Sequence, residues 1–250
     1  MSALGGDIKF GLRMLKRSPG VTAAAIFALA LGIGANTAIF SVVDNVLLRP
    51  LPFPESSQLH AVYRSVAKLG FFRGPWSYPD FKDFQAQNSV FQNVGVWANG
   101  DANLSGVGSP ERVLIRLASP SLLPTLRVSP VAGRNFLESE AIKGNDHVVL
   151  LDYGLAQRRF GSPQLALGKS VRVDNVDYQV VGVLPRGFFL QTKADVWLPT
   201  STTFDMMSIR NAHWLRMVAR EKPGVTKAQI DADLSAFTQR LVEAHGDIYS

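Results

Sequence analysis

The stretch Ser18–Val43, SPGVTAAAIFALALGIGANTAIFSVV, decides how the chain is read. It runs for 26 residues without one Asp, Glu, Lys, Arg or His. A helix rises about 1.5 Å per residue, so about 20 residues cross the roughly 30 Å hydrocarbon core of a bilayer. This run is long enough to span with some tilt. A buried soluble helix of this length would show a polar face. A secretory signal peptide has an apolar stretch of only about 7–15 residues. The reading is a transmembrane helix over residues 20–46.

The flanks orient it. Residues 1–19 carry Lys9, Arg13, Lys16 and Arg17 against one acid, Asp7, while the far side opens with Asp44 and then Arg49. Basic residues stay on the cytoplasmic side of a membrane helix. The N-terminus is therefore predicted to be cytoplasmic and everything after about Asn45 to lie outside, which in a bacterium is the periplasm beyond the inner membrane or the cell surface. Ile8, Leu12 and Leu15 recur at helical spacing, with Lys9, Arg13 and Lys16 one step round. Residues 1–19 thus read as an amphipathic segment on the inner leaflet, its cations reaching lipid phosphates. Ser18-Pro19-Gly20 breaks the helix between the two segments. Inside the span, Ala24, Ala28 and Gly32 stand four apart, with Asn36 one step on. Small residues on one face let another helix approach closely, and an intramembrane Asn hydrogen-bonds across the contact. These four are the candidate helix-packing positions, and other membrane helices are their expected partners.

Composition supports this reading. In 250 residues, 46% are hydrophobic and 18% charged, which excludes a disordered chain. The net charge of +6 divides unevenly, with four bases against one acid in residues 1–19 and 22 against 19 elsewhere. The excess is an orientation signal rather than a nucleic-acid surface, and no nucleic-acid-binding motif accompanies it. There is no cysteine, so disulfides, thiolate nucleophiles and cysteine-held metals are excluded.

After the Pro-rich connector 47–57 the texture becomes that of a mixed globular domain, 58–247. Leu59–Val66 alternates as a strand. Ser77-Tyr78-Pro79-Asp80 opens a helix with Phe81 and Phe84 on its buried side. Val94, Val96 and Ala98 alternate, and Asn99-Gly100 reads as a turn after them. Val113, Ile115 and Leu117 form a further strand. Val148–Leu151 is a short apolar strand, and Asp152 caps a helix stopped by Gly161. Ser170–Val173 and Tyr178–Val183 pair around Asp174-Asn175. Asp195–Leu198 and Trp214–Ala219 add two more strands. Thr226 and Gln229 make a capping box for a last helix whose face is Ile230, Leu234, Phe237 and Leu241, with Gly246 at its C-terminal cap. Strands and helices interleave with many hairpins, so the fold class is α+β, largely antiparallel. The prolines and Gly133 of residues 120–135 mark a possible division into two lobes, and Thr200–Ala212 reads as a mobile loop.

The chemistry that tempts the eye fails on spacing. Gly168-Lys169-Ser170 looks like the tail of a phosphate-binding loop, but Pro163 stands where the first Gly is required and has no amide hydrogen to give. No catalytic set, cofactor motif or metal-ligand spacing is found, and His60, His147, His213 and His245 stand apart from one another. The reading is of a non-enzyme with no cofactor.

Several stretches resemble the permease subunits of MacB/FtsX-type ABC transporters. They are DIKFGLRMLKRSPG (7–20), ALALGIGANTAIFSVV (28–43), LLRPLPFP (47–54), SYPDF (77–81), YGLAQRRFG (153–161), VVGVLPRGF (180–188), HWLRMVAR (213–220) and KPGVT (222–226). They occur in the same order from about residue 7 to 245. The resemblance implies a first membrane helix followed by a MacB-like periplasmic core domain. It also implies a separate or fused ABC-type ATPase partner, and three further membrane helices per unit that these 250 residues lack, so the chain reads as a fragment or a truncated product. The rival reading is a single-span anchored periplasmic binding or sensory module with no transport role. The substrate or periplasmic partner is left open.

Overall fold

The computed structural model describes residues 3–43, 53–66 and 71–249. Asp44, the connector prolines Pro50 and Pro52, and residues 67–70 lie outside the described residues. The chain divides into two units, Met1–Pro52 and Phe53–Ser250.

The first unit is helical. Helix α1 spans Ala3–Arg17 and helix α2 spans Pro19–Val43. Pro19 has no amide hydrogen and takes the first position of α2, which such a residue tolerates. Across the break, the Thr22 hydroxyl donates to the Leu15 carbonyl at 2.8 Å and to the Ser18 carbonyl at 3.0 Å, serving acceptors that the end of α1 leaves open. Residues Pro19–Ser41 of α2 are long and apolar enough to cross a membrane, with a mean hydropathy of 1.9.

The second unit is an α+β domain. Its strands are β1 (Leu59–Val62), β2 (Arg64–Val66), β3 (Phe71–Gly74), β4 (Phe91–Ser105), β5 (Glu111–Ala118), β6 (Ala132–Gly133), β7 (Val148–Leu151), β8 (Ser170–Val173), β9 (Val176–Val183), β10 (Val196–Pro199) and β11 (Arg216–Glu221). Its helices are α3 (Tyr78–Gln87), α4 (Leu122–Leu126), α5 (Tyr153–Phe160), α6 (Pro163–Ala166), α7 (Phe204–Met207), α8 (Lys227–Ala244) and α9 (Gly246–Tyr249). Nine strands form one sheet in the order β1-β11-β4-β5-β10-β7-β9-β6, with β8 bridging β4 and β9. Following the pairings from β4 through β5, β10, β7, β9 and β8 returns to β4, so that part of the sheet closes on itself. Most pairings are antiparallel; β5 with β10 and β7 with β9 are parallel.

The period of two along each strand sorts side chains onto two faces. Val149 and Leu151 of β7, Val196 and Leu198 of β10, and Met217 and Ala219 of β11 join one core with Phe81, Phe84 and Phe237. Their neighbours Leu150, Trp197 and Val218 join a second core with Phe53, Leu122, Leu126 and Phe136. The two cores lie on opposite faces of one sheet, and residues 120–135, where a division into lobes is possible, contribute Leu122, Leu123 and Leu126 to the second. That stretch runs inside a single compact unit, where α4 packs on β4 and Val131 and Arg134 bond to β9. Gly95 permits the close passage of α4, because a Cβ there would lie 2.5 Å from the Leu122 Cα.

Other local expectations need correction. Leu59–Val66 is two strands, broken at Tyr63. Asn99-Gly100 is no turn: β4 runs through it, and β5 holds Asn99 opposite Arg116 and Gly100 opposite Ile115. Thr200–Ala212 contains a 3-10 turn, Thr200–Thr203, and then α7. Gly246 does not cap α8; His245 does, and Gly246 begins α9.

Candidate functional site

The positions singled out in the first unit fall on two helices. Lys16 and Arg17 occupy the last turn of α1, where cations complement the negative end of the helix dipole. The side chains of Arg13, Lys16 and Arg17 are exposed, and the side chain of Lys9 lies outside the described residues. Ala24, Ala28, Gly32 and Asn36 all lie on α2 and are exposed. Their spacing of four puts them along one face. A Cβ built on Gly32 meets nothing within 4 Å.

In the second unit, two buried charged residues fasten its first and last segments. Arg220 sits near the end of β11 and is fully buried. Its Nε donates to the Thr125 carbonyl at 2.8 Å, Nη1 to the Glu55 carbonyl at 3.0 Å, and Nη2 to the Pro54 carbonyl at 3.0 Å. One planar guanidinium thus holds the start of the domain against α4 and the sheet, using the fixed fork of donors that only Arg supplies. Burial lowers its pKa, and Arg127 nearby acts the same way. Arg127 in turn pairs with the Glu55 side chain, and both residues take left-handed backbone, φ 54° and 48°.

Asp80 does the corresponding work at the other end. It follows Ser77, whose hydroxyl accepts the Asp80 amide at 3.2 Å as the cap of α3, and Pro79 in the first turn. Its carboxylate is fully buried. Arg210 Nη1 donates to Asp80 Oδ1 at 2.7 Å and to Asp83 Oδ2 at 2.7 Å. The Tyr249 hydroxyl donates to the two Asp80 oxygens at 2.9 and 2.7 Å, which fixes the last described helix, α9. His213 Nε2 stands 3.8 Å from Asp80 Oδ2, bonded to Arg64 of β2, whose guanidinium lies 4.0 Å over the Tyr249 ring. Burial pushes the Asp80 carboxyl up. Interactions with His213, Tyr249, Arg210 and Ser77 outweigh it and hold the group below the ordinary carboxylate range. Burial, then the bond to Asp80, pushes the Tyr249 phenol up.

These contacts tie separate segments of the domain together. The polar atoms point at backbone carbonyls and at one another, joining β2, α3, the segment before β11, and α9. Among the described residues no group of three or more His, Asp and Glu has the geometry to hold a metal. Sequence reasoning assigned no role to Arg220, Arg210 or Tyr249. The available signal was faint: Arg216, Arg220 and Glu221 bracket only three apolar residues of β11, and Asp80 sits at a helix start where capping alone would explain it.

The sequence profile of the MacB-like periplasmic core domain matches residues 22–237. The chain belongs to that family. The match begins inside α2 and ends inside α8, so the apolar helix and the domain fall within one family unit. Solved structures share the MacB-like fold. A domain of a protein described as a permease from Porphyromonas gingivalis aligns with a TM-score of 0.59 at 20% identity, covering 75% of this chain and 86% of that one. The periplasmic region of MacB from Actinobacillus actinomycetemcomitans aligns at 0.56 and 16% identity, covering 76% and 84%. The extracellular domain of the noncanonic ABC-type transporter YknZ from Gram-positive bacteria aligns at 0.55 and 14% identity, covering 75% and 93%. At these identities the likeness is one of fold. No curated protein matches the chain. The resemblance drawn from SYPDF, HWLRMVAR and the other stretches holds at the level of family.

Proposed function

We propose that the chain is membrane-embedded permease material of a MacB/FtsX-like ABC transporter, coupling a cytoplasmic ATPase to the handling of a periplasmic substrate or partner. The observation that carries this reading is the family match that runs unbroken from the apolar helix into the domain. In this account residues 1–19 lie on the inner leaflet of a bacterial inner membrane, 20–46 span it, 47–57 connect, and 58–247 work in the periplasm. Lys9, Arg13, Lys16 and Arg17 hold the cytoplasmic end on lipid phosphates. Ala24, Ala28, Gly32 and Asn36 pack against other permease helices. The domain's two buried anchors suit it to such work, since Arg220 links Pro54–Glu55 directly to β11 and Asp80 links α9 directly to α3.

The test is to tag the protein in its native host, cross-link, purify from membranes and assay the eluate for ATP hydrolysis. The account predicts that an ABC-type ATPase co-purifies and that hydrolysis is vanadate-sensitive. Recovery without any ATPase would favour an anchored binding module instead.

A further inference from the structure

A cavity of about 510 Å³ opens between the start of α5 and the loop from Arg186 to Lys193. That volume lies within the roughly 300–1,000 Å³ range of small-molecule sites. Its charge is one-sided. Arg158, Arg186 and Lys193 line it, and Asp152 is the one acid among the lining residues. Asp152 is already engaged, its Oδ2 accepting the Gly154 amide at 2.9 Å and lying 3.3 Å from Lys193 Nζ. Glu111, 3.9 Å from Arg158, is held more closely by Arg159, at 3.2 Å from Nε and 2.7 Å from Nη2. Beneath the loop, Arg116 is fully buried over the Trp197 ring and bonded to the carbonyls of Leu190 and Thr192, not to a carboxylate. Arg216 holds the Gln191 side chain. The loop therefore carries and rests upon positive charge.

The same loop is also aromatic. Phe188 is fixed from behind by Trp197 at 5.5 Å and Phe53 at 6.2 Å between ring centroids. Phe189 beside it is 50% exposed, a large apolar side chain left facing solvent at a cavity lined by cations. Arg186 lies 5.8 Å over the Tyr153 ring, which keeps it at the cavity.

We propose that this cavity binds a small soluble amphiphile, with its phosphate or carboxylate headgroup on Arg186, Lys193 and Arg158 and its apolar body on Phe188 and Phe189. Cations alone would suit any anion, and aromatics alone any apolar solute; their presence together in one cavity selects a molecule that is both. The inference stands on this geometry and does not depend on an ATPase partner.

The test is calorimetric titration of the full chain in phosphatidylcholine nanodiscs, with empty nanodiscs as blank. The probes are octyl phosphate, octyl glucoside and inorganic phosphate. Octyl phosphate is expected to bind saturably and more tightly than inorganic phosphate, and octyl glucoside is expected not to compete. The pair Arg186→Gln and Lys193→Gln should weaken octyl phosphate by about tenfold or more. Phe189→Ala should weaken octyl phosphate several-fold and leave inorganic phosphate unchanged. These side chains are exposed, so the variants keep the fold. Octyl phosphate that does not saturate, that octyl glucoside displaces, or that binds both variants as it binds the parent chain would overturn the proposal.

Discussion

Asp80 shows what one side chain contributes and how little of that a sequence declares. Ser77, Pro79 and Asp80 announce the start of α3, because capping and proline preference are local. The partners of Asp80 are not local: Arg210 and Tyr249 arrive from 130 and 169 residues away. Removing one member of a buried pair leaves the other charge uncompensated, at a cost of about 3–5 kcal/mol. Asp80→Asn is therefore expected to destabilise the domain by roughly 3 kcal/mol at neutral pH, read by urea unfolding with tryptophan fluorescence. The folded Asp80 carboxyl titrates below its unfolded value. Its contribution is complete above the ordinary carboxylate value of about 4 and is lost as pH falls through the lower, folded one. The gap between the parent chain and Asp80→Asn should accordingly be level above about pH 5 and narrow below about pH 4. A constant gap down to pH 2 would mean that Asp80 acts through packing rather than charge.

At the scale of elements, legibility follows the range of the signal. Helix α8 was readable because its determinants lie within one turn of each other. The Thr226 hydroxyl accepts the Gln229 amide, Gln229 Oε1 accepts the Thr226 amide, and Ile230, Phe237 and Leu241 are buried at helical spacing. Thr226→Ala should cost about 1 kcal/mol, visible as earlier amide exchange in the first turn of α8 with the rest of the helix less affected. Asp174-Asn175 was likewise readable, since both residues adopt the positive φ that a tight hairpin demands, 44° and 69°. Asn99-Gly100 carries a similar turn signature and misled, because β5 supplies a full ladder of partners along β4 that local preference does not reveal. Gly246 failed as a cap for a related reason: α9 follows at once, and Tyr249 is tied to Asp80.

At the scale of the whole molecule, the sequence showed an apolar helix with a basic flank and an α+β domain after it, and the structure and the family match bear out that order. The closed path of strands was not legible. It depends on the parallel pairing of β5 with β10, which joins residues about 80 apart, and on β8 returning to the far end of β4. No periodicity within a strand encodes which distant strand it will meet. The central claim is that α2 sets this MacB-like domain across a bilayer from the basic N-terminus. The chain has no cysteine, so single cysteines report position without background. The decisive measurement is labelling of Lys16→Cys and Lys227→Cys by a membrane-impermeant maleimide, in cells whose outer membrane alone is permeabilised. The account predicts that Lys227→Cys is modified at once and Lys16→Cys only after the inner membrane is opened. Lys16→Cys modified in sealed cells with Lys227→Cys protected, or both modified equally, would contradict it.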